Sequence, residues 1–250
     1  MRRAPIGAAQ RPEGPHVRRP ASLVLALAAV LASSTIGMNS AQASQVSSDS
    51  PEVTSAAART TTGKALLGKL KVRAVHRGGY KRDKFGEDWL DVNDDCQNTR
   101  SEVLQRDSKV KVTFYSASQC AVLTGRWTSP YEGRTWTDAR KLEIDHVVAL
   151  SEAWKSGASK WKKSKRLSYA NDLGYGWTLK PVTRSVNQDK VDKDPAEWLP
   201  DKNRCTYARQ WVAIKYRWGL SVDTGEKREL AKLLAGDCGR VKMKVPARVK

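Results

Sequence analysis

The strongest constraint on folding in this 250-residue sequence is its four cysteines, Cys96, Cys120, Cys205 and Cys238, read together with the export signature that precedes them. Arg18 and Arg19 lead into the apolar run "ASLVLALAAVLASS", and Ala41-Gln42-Ala43 supplies the small residues a signal peptidase requires. Residues 1–43 therefore read as a secretory signal cut near Ala43-Ser44, with the mature chain secreted. The apolar run is shorter than the roughly 20 residues that span a bilayer, and the arginine pair lacks a twin-arginine context, so the expected route is Sec-type. No other stretch is apolar enough to span a membrane. In an oxidising compartment an even number of thiols pairs. None of the four lies in a CxxC pair, and with only His16, His76 and His146 in the chain a Cys/His zinc site is hard to build. Four cysteines allow three connectivities, and sequence does not choose among them. Nearest-neighbour pairing, Cys96 with Cys120 and Cys205 with Cys238, is preferred because each bridge would staple a short local segment.

The length suits one good-sized domain. Formal charge is +19, and removing residues 1–43 takes away five Arg and one Glu to leave +15. Charge of that size does not define a fold, but it predicts attraction to a polyanion such as nucleic acid, an anionic wall polymer or anionic lipid. Residues 44–63 are rich in Ser, Thr and Ala and read as a disordered lead-in. The folded domain is expected over residues 64–239, its first core residue near Leu66. Residues 240–250 form a basic tail with five Lys or Arg and no acid, readable as a flexible phosphate-contacting arm or as a plain solvated tail.

Along the domain, Leu66, Leu67, Leu70 and Val72 suggest a helix ending at Gly78-Gly79, and "NTRSEVLQRDS" a short helix capped by Asn98 or Thr99. "KVKVTFYSAS" and "QCAVLTGRWTS" read as an antiparallel hairpin with Cys120 on its second strand. "LEIDHVVAL" and "WTLKPVT" read as two short strands separated by helical pieces broken around Gly157. A helix opening at Ser185 and ended or kinked by Pro195 follows. Two amphipathic helices close the domain, the first with Trp211, Ile214 and Trp218 on one face. Most of the nine tryptophans are read as core.

The chemistry centres on "EIDHVVAL". Neighbouring side chains on a strand face opposite sides, so Asp145 and His146 can share a cleft only if the strand ends there. Downstream, Asn187 lies in the first turn of the helix after the second strand. Asp145 and Asn187 are hard oxygen donors suited to a divalent cation such as Mg²⁺.

That ordered set resembles the HNH, or ββα-metal, endonucleases. They carry an Asp-His pair on one strand, an Asn in the connection, and a second Asn on the helix after the second strand. Here these are Asp145 and His146 in "EIDHVV", Asn171 in "YANDL" and Asn187 in "TRSVNQDK". The wider context resembles a secreted branch related to the C-terminal domain of GmrSD-type restriction enzymes. Its "GY.R..FG..W", "C..TR...L.RD", "DH.....EAW" and "DKDPAEW" patterns are matched by Gly79 to Trp89, Cys96 to Asp107, Asp145 to Trp154 and Asp192 to Trp198. The resemblance implies an α+β fold in which a ββα site is embedded among helices with an added β-hairpin and two disulfides. It implies His146 as general base, Asn171 beside it among the catalytic positions as a brace of the connection, and Asp145 and Asn187 as ligands of one divalent cation, Mg²⁺ first, with Mn²⁺ or another divalent ion able to substitute. The products would carry 5′ phosphates. Glu143 would support the ligands or join them, and Arg100, Arg184 and Lys190 would contact phosphate. Two departures stand out: Ala149 replaces a common Pro, and "QDKV" after Asn187 is less basic and less glycine-rich than in relatives.

The expectation is thus a secreted metal-dependent endonuclease acting on DNA, and on RNA as a further substrate, with little sequence specificity, because no major-groove reading module is recognisable. No stable protein partner is expected, and the sequence is silent on oligomeric state. The alternative is a non-catalytic polyanion-binding protein of the cell envelope, which explains charge, signal and disulfides but not the order of Asp145, His146 and Asn187. A metalloprotease is excluded by the absence of HExxH.

Overall fold

The structure is a computed structural model that describes residues 59–250. The signal read at residues 1–43 and residues 44–58 of the lead-in lie outside the described residues. The chain runs β1 (Thr60–Thr62), α1 (Gly63–Lys69), α2 (Thr99–Asp107), β2 (Thr113–Phe114), β3 (Val122–Thr128), β4 (Thr135–Asp138), β5 (Leu142–His146), α3 (Leu150–Lys155), α4 (Lys163–Ala170), β6 (Leu179–Thr183), α5 (Arg184–Lys190), α6 (Arg204–Trp218), α7 (Thr224–Leu233), α8 (Gly236–Arg240) and β7 (Lys242–Lys244). The class is α+β, with two disulfides, Cys96–Cys120 and Cys205–Cys238. Each closes a short loop and stabilises by about 3 kcal/mol through the denatured chain.

The larger core is built on α6, where Tyr207, Trp211, Ile214 and Trp218 recur at helical spacing and are buried. A large apolar side chain removed from water in this way contributes about 1.5–3 kcal/mol. Gly219 takes a positive φ of 70° and ends the helix. A second, smaller core lies under the β2-β3-β4 sheet and one face of β5 and β6, around Trp127, Leu104 and Leu142.

Several boundaries differ from the sequence expectation. α1 stops at Lys69, and the segment after it is extended: Val72 bridges Val222 in parallel, because Val222 N–H donates to the Lys71 carbonyl and Arg73 N–H to the Val222 carbonyl, both at 2.9 Å. The expected helix to Gly78-Gly79 is lost to that distant partner. β4 extends the hairpin to three strands, and Cys120 lies just before β3 rather than on it. α5 begins two residues earlier than a Ser185 cap would place it, with Thr183 as cap, and ends at Lys190 because Val191 turns the chain at φ 50°. The end of the lead-in and the tail are ordered by each other: β1 pairs antiparallel with β7, and Val249 N–H donates to the Arg217 carbonyl at 2.9 Å. Among the described residues the tail is therefore neither a free arm nor simply solvated.

A buried charge cluster joins α3, α6 and α7. Lys215 is fully buried and its Nζ donates to Glu152 Oε1 (2.8 Å), Glu226 Oε2 (2.7 Å) and the Ser221 carbonyl (2.9 Å). Two carboxylates share one ammonium, so burial first, and then Glu152, push the Glu226 carboxyl up to about 7, against the pull of Lys215. The folded-state value lies above the ordinary 4.5, so the folded protein holds a proton that the unfolded chain gives up between these values. This contribution to stability falls as pH rises from about 4.5 to about 7. Thermal unfolding of the parent and of Glu226→Gln at pH 5 and pH 7.5 should show the parent losing stability relative to the variant at the higher pH. A parent-variant difference that does not change with pH would show that Glu226 titrates normally.

Candidate active site

β5 and β6 form a two-stranded antiparallel ladder in the register Leu142↔Thr183 to His146↔Leu179. Pro181 sits in this pair without loss, since a two-stranded sheet leaves one side of each strand unpaired. β5 ends at His146, so Asp145 and His146 both reach one cleft of about 440 Å³. α5 follows β6 without a loop and lies across β5. One turn in, Asn187 Nδ2 donates to Glu143 Oε2 at 2.8 Å, and the Glu143 carboxylate also takes Gln188 Nε2 at 3.2 Å and Arg184 Nε at 3.4 Å. Positions 184, 187 and 188 share a helix face, which is why one carboxylate gathers all three.

His146 is 5% exposed and held on two sides. Its Nε2 lies 2.8 Å from the Ala170 carbonyl, and its ring stacks on Trp89 with centroids 5.3 Å apart and planes 12° from parallel. Burial lowers its pKa to about 3, the Ala170 carbonyl opposing and the Arg82 and Lys190 charges assisting. The ring is neutral at physiological pH. With Nε2–H donating to Ala170, Nδ1 keeps its lone pair, the state a general base needs.

Asp145 is also 5% exposed. Lys190 Nζ donates to its Oδ1 at 3.0 Å and to the His146 carbonyl at 3.1 Å, while the Tyr131 hydroxyl donates to Oδ2. Burial raises the Asp145 pKa, with Lys190 and Tyr131 opposing. This corrects the expectation that Lys190 contacts phosphate: its side chain is fully buried and its ammonium is committed to Asp145. The turn at Val191 leaves Lys190 at the end of α5 facing inward.

The other expected residues divide. Asn187 lines the cleft with Asp145 and His146. Asn171 does not: it caps α4, its Oδ1 accepting from Leu90 N–H and its Nδ2 donating to the Leu167 carbonyl, both at 3.0 Å. It braces both supports of His146, because Leu90 follows Trp89 and Ala170 precedes Asn171. Arg100 Nη2 donates to the carbonyls of Ala139 (2.9 Å) and Leu142 (3.1 Å), clamping the start of β5. It also lines, with Arg140, Arg184, Tyr115 and Glu143, a second cleft of about 500 Å³, and Glu143 is the residue of that cleft that holds the Asn187 amide of the first. Sequence reasoning gave no role to Tyr80 and Arg82, which line the His146 cleft, nor to Trp89. All three lie in the quoted "GY.R..FG..W" stretch, which was the available signal.

The donor chemistry fits a lightly held divalent cation. Among the described residues Asn187 engages its amide nitrogen and leaves Oδ1 without a partner, and each Asp145 oxygen retains a lone pair beyond its one hydrogen bond. Among the described residues no group of three or more His, Cys, Asp or Glu is placed to hold a metal. A cation here would be held by Asp145 and Asn187 and otherwise by water and substrate oxygen.

Comparison with known proteins places these residues in a family. The pattern of the GmrSD restriction endonucleases, C-terminal domain, matches residues 98–233, which include β5, β6 and α5 and exclude Tyr80, Arg82 and Trp89. A protein of Arthroderma benhamiae described as an uncharacterized secreted protein is 44% identical over 178 residues, covering 70% of this chain and 84% of that protein. No solved structure matches.

Proposed function

This chain belongs to the family of GmrSD restriction endonuclease C-terminal domains, and on that premise we propose that it is a secreted, metal-dependent endonuclease hydrolysing phosphodiesters of DNA, and also of RNA, with little sequence preference. The observation that carries the reading is the convergence of a neutral, rigidly held imidazole with Asp145 and the free oxygen of Asn187 in one cleft.

In this reading His146 takes a proton from the water that attacks phosphorus. Trp89 and the Ala170 carbonyl fix the direction of its ring. Lys190 and Tyr131 fix the Asp145 carboxylate, and Glu143 turns the Asn187 amide so that its oxygen faces outward from that contact. Arg82 lends positive charge at the cleft for the phosphate. Asp145 and Asn187 would hold a divalent cation, which would supply Lewis-acid stabilisation of the charge that develops on phosphate oxygen. Arg184 and Arg100, which line the cleft that Glu143 also lines, would contact the same strand. Secretion is supported by the export signature, the two disulfides and the secreted relative.

One observation favours the second reading, a polyanion-binding protein without chemistry: a fixed ammonium already sits on Asp145, where a cation would be needed. Supercoiled plasmid separates the two. The mature protein with Mg²⁺ or Mn²⁺ should nick it, chelator should stop the nicking, and the rate should fall steeply with salt, since backbone attraction is the main source of affinity. Binding without nicking under any divalent metal would establish the second reading.

A further inference from the structure

A cleft of about 280 Å³, lined on one side by the extended segment after α1 and on the other by the ends of α3 and α6, has no role in the reading above. Lys69, Lys71, Arg73, Lys160 and Arg248 line it, and no Asp or Glu does. Lys155 also lines it but pairs with Asp192 at 2.8 Å, and Lys215 reaches it only by its stem, its ammonium being buried on Glu152 and Glu226. Holding five like charges around a concavity is unfavourable without a counterion. Yet the frame is rigid. The Val72–Val222 bridge fixes the segment, and His76 N–H donates to the Lys155 carbonyl at 2.9 Å. Lys71 and Arg73, two residues apart in extended chain, project to the same side about 6.5 Å apart. Arg248 and Lys69 lie 5.0 and 6.0 Å from the centroid of the Tyr216 ring, and the tail that carries Arg248 is pinned to Arg217.

We propose that this cleft is a second anion site that grips the phosphate backbone of a nucleic-acid strand away from the catalytic cleft. The inference rests on the reading of the protein as one that handles nucleic acid. Five cations without an acidic partner among the described residues exceed what one small anion neutralises, and a row of cations in a groove is how sequence-independent strand binding is built. The depression next to it shares His76 and Lys155 with this cleft and Tyr80, Ser151 and Asp192 with the His146 cleft, but Asp192, Asp194 and Glu197 line it and repel phosphate. The site is therefore a separate anchor, not an extension of the catalytic groove.

Fluorescence anisotropy of a labelled 30-nucleotide single strand, in chelator so that no cleavage occurs, tests this. The triple variant Lys71→Gln/Arg73→Gln/Lys160→Gln is compared with Lys227→Gln/Arg228→Gln/Lys232→Gln, which removes the same charge from α7. All six side chains lie outside the catalytic cleft and the buried charge cluster. The first triple should weaken binding at least ten-fold at about 0.1 M salt and reduce the slope of log affinity against log salt by about 2, at about 0.7 per lost phosphate contact. The control should leave the slope near that of the parent. Equal slopes for the two triples, each with the melting temperature of the parent, would overturn the proposal. If the parent never nicks plasmid but the two slopes differ as expected, the nuclease reading fails and the anchor stands.

Discussion

His146→Ala is expected to lower the rate of plasmid nicking about 10²–10⁴-fold, the range over which a positioned general base acts. The residue also has a structural share, since its removal leaves the buried Ala170 carbonyl without its partner, at about 1–3 kcal/mol, and the Trp89 face uncovered. Two further readouts keep the chemical role apart from that loss. Free imidazole added to the variant should restore part of the rate, which it cannot do if the ring only packs. The parent should also show no loss of rate between pH 7.5 and pH 6 from protonation of this ring. A base whose pKa is lowered to about 3 stays neutral down to that value, so its acid limb lies far below the ordinary 6.5. Failure of imidazole rescue, together with a variant that nicks at close to the parent rate, would sink the assignment of His146 as the base, whereas an acid limb near 6.5 would overturn only the lowering of its pKa.

The order strand, connection, strand, helix was legible because each piece carries a local signal: the apolar run ending at His146, the run "WTLKPVT", and a helix start read at Ser185, two residues past the observed cap. The pairing of neighbouring cysteines was also preferred, and for the reason the structure bears out, since each bridge closes a short stretch. What was not legible is mostly non-local. Nothing near Val72 announces that its partner is Val222, and nothing near Thr60 announces Lys242–Lys244. Helical propensity after Lys69 loses to those hydrogen bonds because the extended segment satisfies its backbone across the molecule instead. The supports of His146 are of the same kind: Trp89 stacks on it from 57 positions earlier, held there by an Asn171 that reads in sequence as a helix end.

Charge explains a further part of the site. The chain carries a large positive excess, yet several of its acids are drawn inside and matched there. Glu152 and Glu226 meet Lys215, Asp172 meets Arg217 and the Trp218 indole, and Asp145 meets Lys190. Each internal match removes a carboxylate from the surface, where it would weaken attraction for a phosphate backbone. The same matches withdraw Lys215, Arg217 and Lys190, so four carboxylates leave with three cations and the surface around the two arginine- and lysine-lined clefts keeps the positive excess that composition gives. A strongly basic protein thus pairs most of its buried carboxylates with cations and leaves an excess of cations outside, which the proposed function offers to a polyanion.

Lys190 carries the sharpest test of that division. If its ammonium contacted phosphate, Lys190→Met would leave stability unchanged and reduce the salt slope by about 1, one phosphate contact. The structure requires the opposite. Removing the partner of a buried carboxylate costs about 3–5 kcal/mol, because Asp145 keeps only the Tyr131 hydroxyl on a side chain 5% exposed. For a chain of this size that is a fall in melting temperature of about 6–20 °C. The salt slope of strand binding should stay at the parent value. Pairing the change with Asp145→Asn should recover part of the loss, since the uncompensated charge is then gone, whereas two independent sites would add their costs. A variant that melts with the parent and binds with a shallower salt slope would put Lys190 back in the phosphate groove and leave Asp145 free for a cation.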